Sequence, residues 1–528
     1  MEAPIRYRRL GLALLSLCVA APLAAQLEPV GAPKGSLRFD LEGSFQSADS
    51  RFLNGQEEDY LADFGSPALG SDRIPLLKPA DSLVGVILGQ PGFRLNLGSE
   101  QANGQYTQGR ITIGAALGVT KRLTLFAHVP YVRSRVQVHF TGDSTAANAG
   151  LNPAHPTLGN GVDQTAAAAF FQSFDVALST LQSQISGGAY SGSLATLAAE
   201  IASRGQQLRS ALFALTSDPA LASPFIPTAT SAAGQQIITR IRALQDTLLN
   251  TLGVNAGFSS DPVLAASRLG PQDFTSFVSN PAGPIQAAPL GEALIARMGD
   301  MDVGATYTLV DRFDRPGTVG GFRLALSALL RMPTGTRDNP NNLVDVGTGN
   351  GRYEVGLTGT ADLGAGNWGA RLIGGYLFRL ATLRVRRVTD PGMPYAGIAT
   401  LTNVRENAGD ILSLSARPFF RLVRNIAIHG TVDYSRTGAD QDAYNSPADA
   451  LPGIPASVLA EGVRSSVAIG GGISYVGRAA HECEPDHRCG WPIEASWNYS
   501  TVMTGSGGRV LRFRSTQMEI RWYHRLWR

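Results

Sequence analysis

Lysine is almost missing. Lys34, Lys78 and Lys121 are the only ones in 528 residues, so arginine carries nearly all the positive charge. A GC-rich coding bias accounts for that more simply than a specific requirement for guanidinium groups. Charge of one sign is not in excess: Lys+Arg 45 against Asp+Glu 42 leaves +3, which removes the electrostatic argument for a nucleic-acid partner. Cysteine is scarce, at three. Beyond the N-terminus there is no continuous apolar run of about 20 residues, which excludes a transmembrane helix.

What is present begins with "MEAPIRYRRLGLALLSLCVAAPLAAQ". Arg6, Arg8 and Arg9 precede an apolar run, and Ala24 and Ala25 offer a small-residue cleavage point. This predicts a signal peptide over residues 1–25, with the mature chain starting near Gln26. A lipoprotein anchor at Cys18 fits less well, because the bulky Leu17 precedes it. Cys483 and Cys489, in "HECEPDHRC", then remain. In an oxidising compartment they predict a short disulfide loop. The competing reading is a metal site with His481 and His487, but the spacing matches no usual zinc pattern, so neither a metal site nor a cofactor is expected.

The stretch "RYEVGLTGTADLGAGNWGARLIGGYLFRL" (352–380) is apolar on every second residue and glycine, threonine, glutamate or arginine between them. The same alternation recurs at 36–45, 110–120, 123–132, 302–310, 322–332, 411–422, 426–434, 466–476, 493–503 and 515–527. That is about twelve strands, each near the length of a tilted membrane-spanning strand. Very short connections, "TKR", "AGN" and "RN", alternate with long loops such as "PTGTRDNPNNLVDVGTGNG". In hydrocarbon every backbone group must be bonded internally, so a sheet crosses only if it closes on itself. The expectation is an all-β, antiparallel transmembrane barrel of about twelve strands in a bacterial outer membrane, with outer-membrane lipid around it. A soluble β-sandwich also alternates, but it does not place the long loops on one rim only.

Aromatics near strand ends, including Tyr131, Tyr353, Tyr376, Tyr434, Tyr475, Trp497, Trp522 and Trp527, suit interfacial girdles. Inward glycines at 114, 118, 304, 470 and 472 leave room in a narrow lumen. One region departs from the pattern. Over residues 163–253, three alanine-rich segments repeat their apolar residues at three and four, as in Ile237, Ile238, Ile241, Leu244, Leu248 and Leu249. Residues 26–141 and 297–528 are therefore expected to form the barrel, and 142–296 a mainly helical insert in an extracellular loop.

At "VPY" (129–131), "GDMDVGATYTLVDR" (299–312) and "LLRMPTGTRDNPNNLVDVGTGNGRYEVGLTG" (329–359) the chain resembles the outer-membrane barrel family labelled meta-pathway phenol-degradation protein. The resemblance covers roughly residues 106–141 and 297–440, and the C-terminal strands more loosely. It implies a transporter-like protein, comparable in outline to the long-chain fatty-acid and toluene importers, and it brings no catalytic residues. The helical insert is larger than the family implies, and the terminal aromatic is the penultimate Trp527.

Catalytic chemistry finds little support. His429 and Asp433 share an inward face but stand roughly 13 Å apart along a strand. His128 also points inward, with no second partner identifiable. "GTGNGR" and "TGSGG" read as turns rather than phosphate loops. Asp338 and Asp345 could hold calcium at the rim, but read more simply as loop residues. The inward charges are more informative. Alternation places Arg110, Arg323, Arg331, Arg371, Arg379, Arg417 and Arg421 in the lumen with His429, against Asp302, Glu354, Asp433, Glu494 and Glu519. Either the arginines form a track favouring anionic permeants, with Arg371, Arg379, Arg417 and Arg421 as its core, or they pair with the acids and fill the lumen. The expected function is a channel or transporter for a small, aromatic or fatty permeant. The alternative is a non-transporting surface protein whose barrel anchors a helical, partner-binding cap.

Overall fold

The computed structural model describes residues 30–313, 320–423, 425–477 and 493–527. The expected signal peptide (1–25) and the Cys483–Cys489 disulfide lie outside the described residues. Twelve long strands follow in order: β1 (Ser36–Ala48), β2 (Ser99–Gly118), β3 (Leu123–Asp143), β4 (Met301–Asp311), β5 (Gly320–Met332), β6 (Glu354–Ala365), β7 (Trp368–Arg379), β8 (Ile411–Val423), β9 (Ile426–Thr437), β10 (Arg464–Val476), β11 (Ile493–Ser506) and β12 (Arg514–Arg525). Each pairs antiparallel with its neighbours in sequence, and β12 pairs with β1, so the ring of twelve closes on itself. No helix among the described residues is long and apolar enough to cross a membrane.

The alternation decides which face goes where. Phe39, Leu41, Ile111, Ile113, Leu326, Leu357, Leu372, Leu414, Ile469 and Ile520 all project outward and are exposed. Large apolar groups on a surface that no protein covers call for hydrocarbon as the solvent. Trp368, Trp497, Trp522 and Trp527 stand exposed near the rim of short connections, and Tyr353 and Tyr376 near the opposite rim. Tyr434 and Tyr475 also face outward but are half-buried.

Both described chain ends lie at the short-connection rim; among the described residues, the large loops are on the other rim. The β1–β2 loop holds α1 (Lys78–Leu88). The β3–β4 loop holds α2 (Gly161–Ser186), α3 (Ser193–Thr216), α4 (Ala232–Asp246) and α5 (Pro271–Ser279). Asn160 caps α2 by accepting from the Asp163 backbone N–H at 2.9 Å, and Ser231 caps α4 through the Gly234 N–H at 3.2 Å. Strands β2 and β3 run 20 and 21 residues, about twice what a crossing needs, so their paired upper halves rise as a tongue above the barrel. Against that tongue packs the apolar core, which includes Leu61, Phe64, Leu77 and Val84 from the β1–β2 loop, Phe170, Phe174 and Leu181 from α2, Leu212 and Leu215 from α3, Ile237 and Ile241 from α4, and Tyr395 from the β7–β8 loop. Away from it, the only other buried apolar cluster among the described residues is Phe419 with Ala427. The hydrophobic core thus belongs to the cap, not to the barrel.

Candidate functional site: the lumen wall and its cap

Residues directly opposite on adjacent strands share a face, so charges placed at matching register meet side by side. One such row runs Glu494, Arg521, Asp40, Gly114, His128, Asp302, Arg331, Glu354, Arg379, crossing nine strands from β11 through β1 to β7. Acidic and basic residue types alternate along it, apart from the glycine. Because barrel strands are sheared, a row perpendicular to the strands climbs. It starts at the second residue of β11, on the short-connection rim, and ends at the last residue of β7, on the loop rim.

The row is closely paired. Arg331 bonds Asp302 at 2.8 and 3.0 Å and Glu354 at 3.0 Å. Arg521 lies 3.6 Å from Glu494 and 2.7 Å from Glu519, and Tyr523 donates to Glu494 at 3.0 Å. Arg38 grips Asp40 at 2.7 and 3.0 Å. His128 does have a partner, which corrects the sequence reading: its Nε2 lies 3.4 Å from Asp40 Oδ2. Arg379 turns upward, donating through Nε to the Gly409 carbonyl at 2.6 Å, with Asp440 at 3.9 Å.

A second row joins Asp311, Arg323, Asp362, Arg371 and Arg417 on β4 to β8. Arg323 bonds Asp311 at 2.7 Å, and Arg371 bonds Asp362 at 2.6 and 3.0 Å. Arg417 and Arg421 stand on β8 either side of the buried Phe419. Asp433 sits opposite Ser415, and His429 opposite Phe419. His429 Nε2 reaches Asn498 rather than Asp433. Both lumen histidines thus spend this nitrogen on a fixed neighbour. Arg110 bonds only Thr112 among the described contacts, at 3.2 Å.

Glycine makes these reaches possible. His128 lies across Gly114 to meet Asp40 two strands away, and His429 lies across Gly472 to meet Asn498; a Cβ at either glycine would overlap the imidazole. Phe126 fills the space at Gly304 in the same way. At Gly114, Gly304 and Gly472, therefore, the glycine does not enlarge the lumen; a neighbouring ring occupies the space.

Above the wall, the loops meet across the mouth. Strands β1 and β7 stand six places apart in a ring of twelve, and so do β2 and β8. Yet Phe64, from the β1–β2 loop, packs edge-on against Tyr395, from the β7–β8 loop, with centroids 5.7 Å apart. Tyr395 Oη donates to the Phe64 carbonyl at 3.2 Å, and Arg73 to the Gly392 carbonyl at 2.9 Å. Asp63 is held by Arg51 at 2.7 Å and by Arg509, from the β11–β12 loop, at 2.9 Å. Arg387 ties three loops together by donating to the carbonyls of Ile285, Ala396 and Pro340. A small loop sheet, Thr382–Arg387, Leu401–Asn407 and Gln441–Tyr444, places Glu406 among Arg352, Arg384 and Arg386 at 2.5 to 3.1 Å. Burial alone would raise the Glu406 pKa, but Arg386, Arg384 and Arg352 outweigh it and hold the carboxyl at about 2. Asp338 is taken by Arg384, and Asp345 accepts the backbone N–H groups of Asn339 and Val346.

The inward faces of β6 to β11 were largely legible from alternation. Asp40, Asp362 and Arg521 were missed although their parity was readable; what no single strand reveals is which residues stand opposite one another.

No protein-family model matches the chain, and no curated protein matches it. Among solved structures, an outer-membrane channel from Pseudomonas putida F1 aligns over 94% of this chain and 100% of its own, at 9% identity and a TM-score of 0.41. The translocator domain of the autotransporter NalP from Neisseria meningitidis aligns over 93% and 89%, at 8% identity and 0.27. The CymD monoaromatic hydrocarbon channel aligns over 93% and 89%, at 11% identity and 0.25. Likeness at this level carries no argument about what crosses the barrel. Closure of the sheet and its apolar outer face decide the class. The chain is a bacterial outer-membrane β-barrel.

Proposed function

We propose that the barrel passes small molecules across the outer membrane through a water-filled lumen, with the loop cap controlling the outer mouth. One observation carries this reading. Between its arginines, the inner wall of β6 to β11 carries small polar residues that keep partial exposure, including Thr358, Ser415, Ser496, Asn498 and Ser500, and the one buried apolar cluster there among the described residues is the pair Phe419 and Ala427. Barrels of eight strands are filled by side chains and those of sixteen hold aqueous channels, so twelve strands with small inner residues leave room for solute. The paired rows favour a wall without strong charge selectivity along most of its height. The resemblance at residues 299–312 and 329–359 favours an aromatic or fatty permeant.

A second reading, an anchor for a partner-binding cap, draws support from the loops that meet across the mouth. Conductance of the refolded protein in a planar bilayer separates the two, with and without residues 163–253. A channel conducts, and conducts as well or better without the insert; an anchor is silent in both forms, and silence would overturn our reading.

A further inference from the structure

The second charge row breaks its own rule. After Asp311, Arg323, Asp362 and Arg371 have alternated, the next position places Arg417 directly opposite Arg371. Like charges at matched register repel, and nothing in the row compensates. Asp362 is engaged by Arg371 through both oxygens and lies 3.5 Å from Arg323. Three guanidinium groups therefore face two carboxylates, an excess of one positive charge.

The donors at this point are also short of acceptors. Arg417 Nε is buried and without a hydrogen-bond partner among the described residues, and so is Ser415 Oγ, two positions away on the same inward face. Asp433, the acidic group on the next strand, stands opposite Ser415 and makes no ion pair with Arg417 among the described residues. A buried N–H with no acceptor is costly, and an arginine costs more in that position than a neutral donor. Elsewhere in the same lumen Arg331 and Arg323 are matched to acids in register, so the charge mismatch is local; Arg323 Nη1 also lacks a hydrogen bond but stands 3.5 Å from Asp362, whereas Arg417 has no acid beside it in the row.

We infer that Arg417 and Ser415, beside Arg371, form an anion-binding subsite in the lumen wall between β7 and β8, and that its ligand is a small monovalent carboxylate. Guanidinium presents paired N–H groups that match a carboxylate's two oxygens, and one excess positive charge is balanced by one negative charge. The inference rests on the reading of the lumen as water-filled, since the ligand must reach the site through it. A permeant carrying a carboxylate would pause at this point, which makes the site a selectivity element on an otherwise neutralised wall.

The test is benzoate binding by titration calorimetry to the folded protein in micelles, run beside bilayer reversal potentials in a potassium chloride gradient. Wild type should bind benzoate and prefer anions. Arg417→Ala should lose about tenfold or more in affinity, the loss of one charge-assisted hydrogen-bonding group, and shift the reversal potential toward cations. Arg417→Lys, which keeps the charge, guards against misfolding and should retain anion preference with weaker benzoate binding. Benzoate binding that is absent in wild type, or equal in wild type and Arg417→Ala, overturns the subsite even if the barrel conducts. Arg417-dependent binding in a barrel that never conducts upholds the subsite and overturns the channel.

Discussion

A methyl group at Gly114 would collide with the His128 ring, whereas one at Gly43, on the lipid-facing side of β1, would meet nothing within 4 Å. Both residues sit in strand interiors, so intrinsic strand preference changes similarly at each; the difference between them isolates the packing of His128 over glycine. Gly114→Ala should cost about 1–3 kcal/mol relative to Gly43→Ala, read from denaturant midpoints in micelles. Equal midpoints would mean that His128 does not need the space, and that its contact with Asp40 is incidental. Arginine on this wall also uses its planar fork. Arg331 can hold Asp302 through two nitrogens while donating a third to Glu354, which the single ammonium of lysine does less well.

Among the elements, the small loop sheet depends most directly on charge. Glu406 is lowered from 4.5 to about 2 because three arginines favour its ionised form. The unfolded chain takes up a proton near 4.5 and the folded one only near 2. The stabilising contribution is therefore complete above pH 4.5 and is lost as pH falls through 2. Cleavage of residues 380–410 and 438–463 by an acid-active protease should rise steeply between pH 4.5 and 2 in wild type. In Glu406→Gln it should be higher at pH 5 and nearly flat across that window. Matching profiles would show that other groups control the loop sheet. Within the helical cap, the segments of residues 163–253 announce themselves because their apolar period matches a helix. Helices α1 and α5 do not: at 11 and 9 residues they are too short for periodicity to stand out, and tertiary packing holds them, α1 against α3 and α4 and α5 against the tongue strand β3.

At the scale of the whole molecule, the separation of solvents governs everything else. Lipid surrounds an outer face of Leu, Ile, Phe and Trp, the inner face carries Ser, Thr, Asn and paired charges, and among the described residues a conventional apolar core gathers only in the cap. Trp368, Trp497 and Trp522 are exposed on the lipid side, so refolding into vesicles of brominated phospholipid should quench most of the tryptophan emission. Emission unchanged from unbrominated vesicles would mean that this face does not meet acyl chains, and the barrel would have to be placed otherwise.

Period-two alternation, turn length and the absence of long apolar runs determined the twelve strands, the faces they turn to lipid and water, and the rim that carries the loops, because each is a property of a strand and its own connection. Only the tertiary structure decided which charges meet. Register depends on how twelve strands shear together when the sheet closes, so the row from Glu494 to Arg379, the reach of His128 over Gly114 and the mismatch of Arg371 with Arg417 are written in no single segment. The same holds for the cap: Phe64 and Tyr395, 331 residues apart and rooted on opposite walls, meet only because closure brings their loops over one mouth.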